Sequence, residues 1–162
     1  MELEDTTLIK KWRFDWSNYD FFYEFTPVST HAQHIWMEKT VTARNEMNFI
    51  AEVLPAHTPF GMIALLDIDL RNQKAELGRV LIGDMSQRGK GRGKMMVQLL
   101  LNYAFNHLNL HKVYCEVFAD NARAIETYLK CGFEQTGIRK KHIYKNGSFK
   151  DIVLLEKLND PR

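Results

Sequence analysis

Residues 83 to 94 read Gly83-Asp84-Met85-Ser86-Gln87-Arg88-Gly89-Lys90-Gly91-Arg92-Gly93-Lys94. The three glycines at alternate positions allow torsions that bulkier residues resist and let a ligand approach the main chain. A strand-like run, Leu77 to Ile82, precedes the stretch, and a long apolar helical pattern, Met95 to Leu108, follows it. Free N–H groups and the positive end of the helix dipole therefore converge on the glycines. This arrangement predicts an anion-binding loop that suits a di- or polyphosphate.

The loop alone is weakly specific. Its G-x-G-x-G spacing is neither the G-x-G-x-x-G of dinucleotide-binding folds nor the G-x-x-x-x-G-K-[ST] of phosphate-binding loops. Four basic side chains, Arg88, Lys90, Arg92 and Lys94, add mobile positive charge. A basic surface turn is therefore the alternative interpretation, and the choice depends on residues elsewhere in the chain.

Size and composition place the chain among ordinary soluble globular proteins. Its 162 residues, 45% hydrophobic and 26% charged, predict one domain over 1–162. A net charge of +2 is too small for bulk binding to nucleic acid or membranes. Cys115 and Cys131 lack metal-ligand or disulfide spacing, so we expect buried thiols of a reducing compartment. With no leader pattern or apolar span in the sequence, we expect a cytoplasmic protein. We also expect no bound metal.

Periodicity and turn signals predict an α/β sheet of mixed direction. Helices are expected at 5–13, 31–43 (capped by Ser29 or Thr30), 93–108, and from Asn121 to before Gly132. Strands are expected at Asn48–Leu54, Gly61–Leu70, Ala75–Gly83, His111–Ala119, Phe133–Arg139 and Ser148–Leu158. Pro55 and Pro59 are expected to separate the first strand from the second.

Eight aromatic residues lie within fourteen positions near the amino end: Trp12, Phe14, Trp16, Tyr19, Phe21, Phe22, Tyr23 and Phe25. Either they line a surface or pocket, or they form a satellite hydrophobic cluster under a loop. His31 and His34 lie one helical turn apart without a nearby third ligand, so we expect solvated or substrate-side histidines rather than a metal pair.

The strand His111–Ala119 alternates so that Tyr114, Glu116 and Phe118 share one face. A carboxylate between two aromatic side chains tends to be desolvated, which suits a general base. A rim charge on a half-exposed strand is the alternative for Glu116. Asn121 suits a helix cap, and Tyr128 would place its ring on an apolar stripe with its hydroxyl towards a site.

Together these residues resemble the GNAT acetyltransferase superfamily, in particular its RimJ/RimL-like branch. The resemblance covers most of the chain through six motifs: Leu8-Ile9-x-x-Trp12-Arg13, His31-x-x-x-x-Trp36, Ala75-Glu76-Leu77-Gly78, Arg88-Gly89-Lys90-Gly91-Arg92-Gly93, Asn121-x-x-Ala124-Ile125-x-x-Tyr128-x-x-x-Gly132-Phe133 and Asn146-Gly147-x-x-x-Asp151. The combination is highly specific, whereas each fragment alone is not.

The resemblance implies a mixed, mostly antiparallel central sheet with a splayed strand pair at the cofactor site and about four flanking helices. Acceptor-side elements would span about 5–43 and the cofactor-binding core about 75–133. The strand that normally precedes the first helix in this family is nearly missing here, since Leu3-Glu4-Asp5 aligns with the helix start. Either the sheet begins one strand short, or further residues precede Met1.

The family binds the pyrophosphate of acetyl-CoA through an R-x-x-G-x-G stretch, which here corresponds to Arg88, Gly91 and Gly93. The main-chain amides from Gly89 to Lys94, including Lys90 and Arg92, would be the donors. Leu81, Ile82 and Gly83 would pair with the pantetheine arm. The resemblance further implies that Asn121 contacts the cofactor and that Tyr128 lies beside the thioester sulfur.

Direct transfer needs a base, because most biological amines are protonated at neutral pH. Glu116, acting directly or through water, is the first candidate, and Glu76 is the other. A main-chain N–H near Leu81 would donate to the developing oxyanion. Tyr128 need only stabilise the leaving thiolate through a hydrogen bond.

The acceptor is less determined than the reaction. Aromatic faces favour a small amine such as a nucleotide-linked amino sugar; the alternatives are the N-terminal amine of a ribosomal protein and a polyamine. Asp15, Asp20 and Glu24, interleaved with the aromatics, keep the polyamine open. A non-catalytic module that binds RNA or another polyanion belongs to a different class, and the spacing of Glu116, Asn121 and Tyr128 disfavours it. A homodimer is left open.

Overall fold

The computed structural model describes residues 1–23 and 29–159, apart from the side chains of residues 19–21. Within these ranges the helices are α1 (Thr6–Arg13), α2 (Thr30–Thr42), α3 (Arg92–Asn106) and α4 (Ala122–Lys130). The strands are β1 (Met47–Val53), β2 (Thr58–Asp69), β3 (Lys74–Ile82), β4 (Lys112–Phe118), β5 (Glu134–Lys145) and β6 (Ser148–Leu158). Short 3-10 turns cover Leu3–Asp5, Trp16–Phe21 and Met85–Gln87.

The six strands form one sheet in the order β1-β2-β3-β4-β6-β5. Neighbouring strands are antiparallel except β3 and β4, which are parallel. The predicted mixed, mostly antiparallel sheet with four helices is therefore confirmed. No strand precedes α1 within the described residues, where Leu3–Asp5 forms a 3-10 turn.

The two faces of the sheet carry separate hydrophobic clusters. The main cluster packs α3 and α4 against the sheet through residues such as Val97, Leu101 and Val113. The second cluster packs α1 and α2 against the other face and consists of Ile9, Trp12, Met37, Met62 and Leu81. Both cysteines are free and buried, as expected.

Helix ends follow the local sequence. Ser29 Oγ accepts a hydrogen bond from Ala32 N at 3.1 Å and caps α2, as predicted. Gly132 ends α4 with φ +85°, a left-handed torsion that favours glycine. The described chain contains no helix with the length and apolar character needed to cross a membrane.

β3 contains a bulge at Arg79. Arg79 and Val80 stand opposite the single residue Ile63, because Met62 pairs with Leu81 and Ala64 pairs with Gly78. Arg79 has φ +54°, and its guanidinium donates to Glu46 and Asn48 at 2.6 Å each. A bulge sharpens the local twist of a strand. The bulge therefore turns the end of β3 away from its original direction, and the hydrogen bonds hold it there.

Two predicted boundaries were wrong. Pro59 lies inside β2, paired with Glu52 beside an irregularity in the register, where the missing N–H of proline is tolerated. The strand predicted at Phe133–Arg139 continues to Lys145 as β5. The register with β6 shifts between Arg139 and Ile143, and the pairing resumes beyond the predicted end.

Candidate active site

β3 and β4 pair over three residues only and then separate. Lys74, Ala75 and Glu76 pair with Lys112, Val113 and Tyr114, whereas β3 continues to Ile82 and β4 continues to Phe118. This is the splayed strand pair that the resemblance predicted. Beyond Glu76, the side of β3 that faces β4 is free of strand pairing.

The glycine loop closes one end of this opening. Gly89 and Gly91 have φ +76° and +74°, and a Cβ built on Gly89, Gly91 or Gly93 would meet no heavy atom within 4 Å. Gly91 caps α3, whose first backbone bond runs from Met95 N to Gly91 O at 3.2 Å. The amides before Met95 are therefore available to an anion, and the open loop fits a diphosphate group.

The four basic side chains of the loop divide into two pairs. Lys90 and Lys94 are exposed, as mobile charges should be. Arg92 instead lies over the Phe60 ring at 5.4 Å, and its Nε is buried without a hydrogen-bond partner among the described residues. Arg88 turns inward and donates to Ile82 O at 3.1 and 3.2 Å. Contact of these residues with a pyrophosphate stays a prediction.

Glu76 lies at the point where the strands separate. Burial raises its pKa, and the nearby carboxylates of Glu116 and Asp67 raise it further. A carboxyl group with a raised pKa is a better base once it has lost its proton. Glu76 is therefore a stronger candidate for the base than we expected from the sequence, which favoured Glu116.

Glu116 has a different environment from the one expected. Its side chain is 19% exposed, and its Oε1 lies 2.6 Å from Nη1 of Arg139 on β5. The sequence indicated a carboxylate enclosed by two aromatics, but the arginine is contributed by a distant strand. Glu116 thus lies in the opening, held in an ion pair, and its role as base stays a prediction.

Tyr128 and Asn121 approach from the α4 side. Tyr128 is 8% exposed, packs edge-on against Phe133 at 5.5 Å, and has its pKa raised by burial. Asn121 Oδ1 accepts from Ala124 N at 3.1 Å and so caps α4. A cavity of about 490 Å³ opens beside Asn121. The cap is confirmed, while contact with a cofactor stays a prediction.

Tyr23 belongs to the site but was not singled out by sequence. Its ring lies 5.0 Å from Phe118 in an edge-on contact, and its buried hydroxyl has no hydrogen-bond partner in the described chain. Burial, then Glu116 and Glu76, raise its pKa. The aromatic run signalled this region, but nothing in its spacing distinguished Tyr23 from its neighbours.

The described members of the aromatic run differ widely in burial, and both interpretations of the run stay predictions. Trp12 is 4% exposed in the second cluster, while Trp16 is 76% exposed. Phe25 and Glu24 lie outside the described residues, as do the side chains of 19–21.

Asp15 accepts from Ser17 N at 2.8 Å as a turn cap. His31 and His34 are exposed, and the described ranges hold no group of three or more metal-ligating side chains.

Comparison with known proteins gives a consistent set of relatives. A family model described as "Acetyltransferase (GNAT) domain" matches residues 1–154. A spermidine N(1)-acetyltransferase of Vibrio cholerae is 33% identical over 92 residues, 57% of this chain and 52% of that protein. The spermidine N(1)-acetyltransferase of Escherichia coli K12 is 28% identical over 116 residues, 72% of this chain and 60% of that protein.

A solved structure resembles the whole fold. The crystal structure of spermidine N-acetyltransferase from Vibrio cholerae, in complex with CoA and spermine, has a TM-score of 0.90 at 25% identity. The match covers 98% of this chain and 92% of that one. In sequence, however, the chain spans only 52% and 60% of the length of the two curated relatives.

Proposed function

The chain belongs to the GNAT acetyltransferase family, and from that premise we propose that it transfers an acetyl group directly from acetyl-CoA to a primary amine of a polyamine. The observation that carries the proposal is the separation of β3 and β4 at Glu76, which leaves an open strand edge between the glycine loop and two carboxylates. A relative described in complex with CoA and spermine supports both substrates.

Each part of the opening has a role in this proposal. The amides from Gly89 to Lys94 bind the pyrophosphate, and the edge of β3 that no longer pairs with β4, around Ile82, orients the pantetheine arm. The amide of Gly83, which the sequence also suggested, already donates to Phe60 O at 2.8 Å. When bound, acetyl-CoA supplies an activated acetyl group as a thioester. Glu76 accepts the proton of the attacking amine. Tyr128 donates a hydrogen bond to the departing sulfur, and a main-chain N–H near Leu81 donates to the carbonyl oxygen.

The charges around Tyr114 favour a polycation as the acceptor. Burial raises the pKa of Tyr114, and four carboxylates add to this effect: Glu76, Asp67, Glu116 and Asp69. Arg139 neutralises part of this field through its ion pair with Glu116, whereas Arg79 is paired with Glu46. A polyamine, which carries several positive charges, complements such a surface better than a neutral sugar does.

The polyamine was the second alternative drawn from the sequence, and the relatives favour it over the nucleotide-linked amino sugar that we placed first. The narrower RimJ/RimL-like assignment and a homodimer stay predictions. An N-terminal amine of a protein is the remaining candidate acceptor. Among the residues that the structure describes, no feature of the opening favours it.

A substrate screen with free-thiol detection of released CoA tests the acceptor. We expect spermidine and spermine to give the highest kcat/KM, above amino sugars linked to nucleotides and above peptides with free amino ends. Intact-mass analysis run alongside detects protein acceptors. Faster acetylation of an amino sugar or a peptide would overturn the polyamine assignment but would still support acetyl transfer from acetyl-CoA to an amine.

Thermal unfolding separates this enzyme from a polyanion-binding module. At about one hundred times its Kd, CoA should add roughly 2.7 kcal/mol to the free energy of unfolding. RNA of matched charge should add less, because it can occupy the anion-binding loop but has no pantetheine arm to pair with the edge of β3. A larger, steeply salt-dependent effect of RNA would instead support the module.

We predict that Gly93→Ala has opposite effects on stability and coenzyme binding. Gly93 lies inside α3, so alanine should add up to about 1 kcal/mol of stability through helix propensity. Its Cβ meets nothing in the free protein but stands where the pyrophosphate approaches the main chain. Isothermal titration should therefore show weaker CoA binding in a more stable protein. Gln98→Ala, at an exposed position of the same helix, is the control and should leave the affinity unchanged.

A further inference from the structure

The inward orientation of Arg88 links two parts of the molecule. Its Nε and Nη2 donate to Ile82 O at 3.2 and 3.1 Å, and Nη2 also donates to Asn18 Oδ1. Ile82 lies beyond Glu76, where β3 has lost its pairing with β4. Arg88 therefore takes the place of a neighbouring strand for this carbonyl, at the edge where the coenzyme arm is proposed to pair.

Asn18 fixes the other end of this link. It is 1% exposed, and its Nδ2 donates to Trp12 O at 2.7 Å. Asn18 N also donates to Asp15 O at 2.9 Å. Because its amide is buried and bonded at both ends, it has little freedom to move away from Arg88.

Two more contacts join the same parts of the chain. The Trp12 ring lies so close to Gly83 that a Cβ there would be 2.1 Å from it, and only glycine fits. Ser17 Oγ lies 3.5 Å from Met85 Sδ. The segment from Trp12 to Asn18 is thus attached to the end of β3 and to the glycine loop at three points.

We propose that Arg88 and Asn18 are a positioning pair. Arg88 acts through the carbonyl of Ile82 and not on a phosphate: it holds the free edge of β3 at a fixed distance from the acceptor-side segment. The position of the coenzyme-binding edge therefore depends on Asn18, a residue of the acceptor-side segment that lies outside the glycine loop. This inference rests on the proposed function, since it takes the glycine loop and the β3 edge as the coenzyme site.

Arg88 could act as a phosphate ligand or as a positioning residue, and the two roles predict different effects of substitutions on CoA binding. A phosphate ligand acts by charge, so Arg88→Lys would retain binding and Asn18→Ala would have no effect. A positioning residue acts by geometry: one ammonium cannot reproduce the planar, multi-donor fork that serves both Ile82 O and Asn18. Both variants should then weaken binding by similar amounts.

Isothermal titration of the full chain with CoA, at low and high salt, tests the pair. We expect Asn18→Ala and Arg88→Lys each to raise the Kd about tenfold, the order expected for loss of a hydrogen bond to a charged group. The double variant should be no worse than either single one, and the salt dependence should match that of the wild type. Thr6→Val removes the hydrogen bond that the buried Thr6 side chain donates to Leu3 O, and it serves as the control for stability alone.

The outcomes separate the inference from the proposed function. Wild-type protein that does not bind CoA contradicts the proposed function. Wild-type binding with unchanged affinity in Asn18→Ala, or with full affinity in Arg88→Lys, overturns the positioning pair and leaves the function standing. A Kd raised equally in Thr6→Val would assign the effect to general destabilisation, which also overturns the pair.

Discussion

Tyr128→Phe should lower kcat about 10²- to 10³-fold while the Kd of CoA changes little, since removal of one donor to a developing charge has an effect of this size. A phenol has a pKa of about 10 and a thiol about 8.5, so full proton transfer to the thiolate is uphill by roughly 2 kcal/mol. Burial raises the pKa of Tyr128 further and so makes full transfer still less favourable. The hydroxyl is therefore expected to act as a hydrogen-bond donor, and phenylalanine removes only that donor.

Steady-state kinetics with acceptor saturating and CoA titration by calorimetry measure the two quantities separately. Tyr103→Phe is the matched control, because Tyr103 lies on α3 against Phe49, away from the opening. It should retain kcat. Equal losses of kcat and CoA affinity in Tyr128→Phe would show that Tyr128 only binds.

Glu76→Gln should lower kcat/KM about 10²- to 10⁴-fold, the contribution typical of a positioned base. Because the pKa of Glu76 is raised, the wild type should lose activity as pH falls through a range above the usual value for glutamate, about 4.3. Glutamine does not titrate, so the variant should lack this acidic limb. Profiles of kcat/KM against pH for both proteins make the comparison.

As pH rises, the stability of the wild type should change in the opposite direction from its activity. A carboxyl group whose pKa is higher in the folded chain binds its proton more tightly there, so stability falls as pH rises through that range. Above that range Glu76→Gln should therefore unfold at the same temperature as the wild type or higher. Glu116→Gln is the control: it should break the ion pair with Arg139 but keep the acidic limb. Loss of the limb in Glu116→Gln alone would assign the base to Glu116.

Local signals in the sequence were enough to predict the helices and strands and several helix ends, but not the start of β2 or the end of β5. Ser29, Asn121 and Gly132 each satisfy backbone groups within a few residues, so a short stretch of chain determines what they do. The left-handed torsions of Gly89 and Gly91 also fit the expectation from their short stretch of sequence. The mostly antiparallel sheet and the separation of β3 from β4 came from the resemblance of several motifs together, whereas the order of the strands was not predicted.

Interactions between distant residues could not be predicted in this way. Arg139 on β5 reaches Glu116 on β4 across β6, and Arg88 reaches Asn18 seventy positions earlier in the chain. Nothing in the sequence around Arg88 distinguishes an inward guanidinium from a solvated one. Likewise, the sequence does not distinguish Tyr23 from the other seven aromatic residues of its run. Its contact with the Phe118 ring is visible only in the fold.

The bulge at Arg79 makes the length of β3 as important as its composition. Side chains alternate along a strand, so one extra residue exchanges the faces of all that follow. Leu77 accordingly belongs to the main cluster, while Leu81, of the same parity, belongs to the second. Deleting one residue here would invert Leu81 and Ile82 and straighten β3 towards β4. We therefore expect this site to be more sensitive to a change in the number of residues than to a substitution.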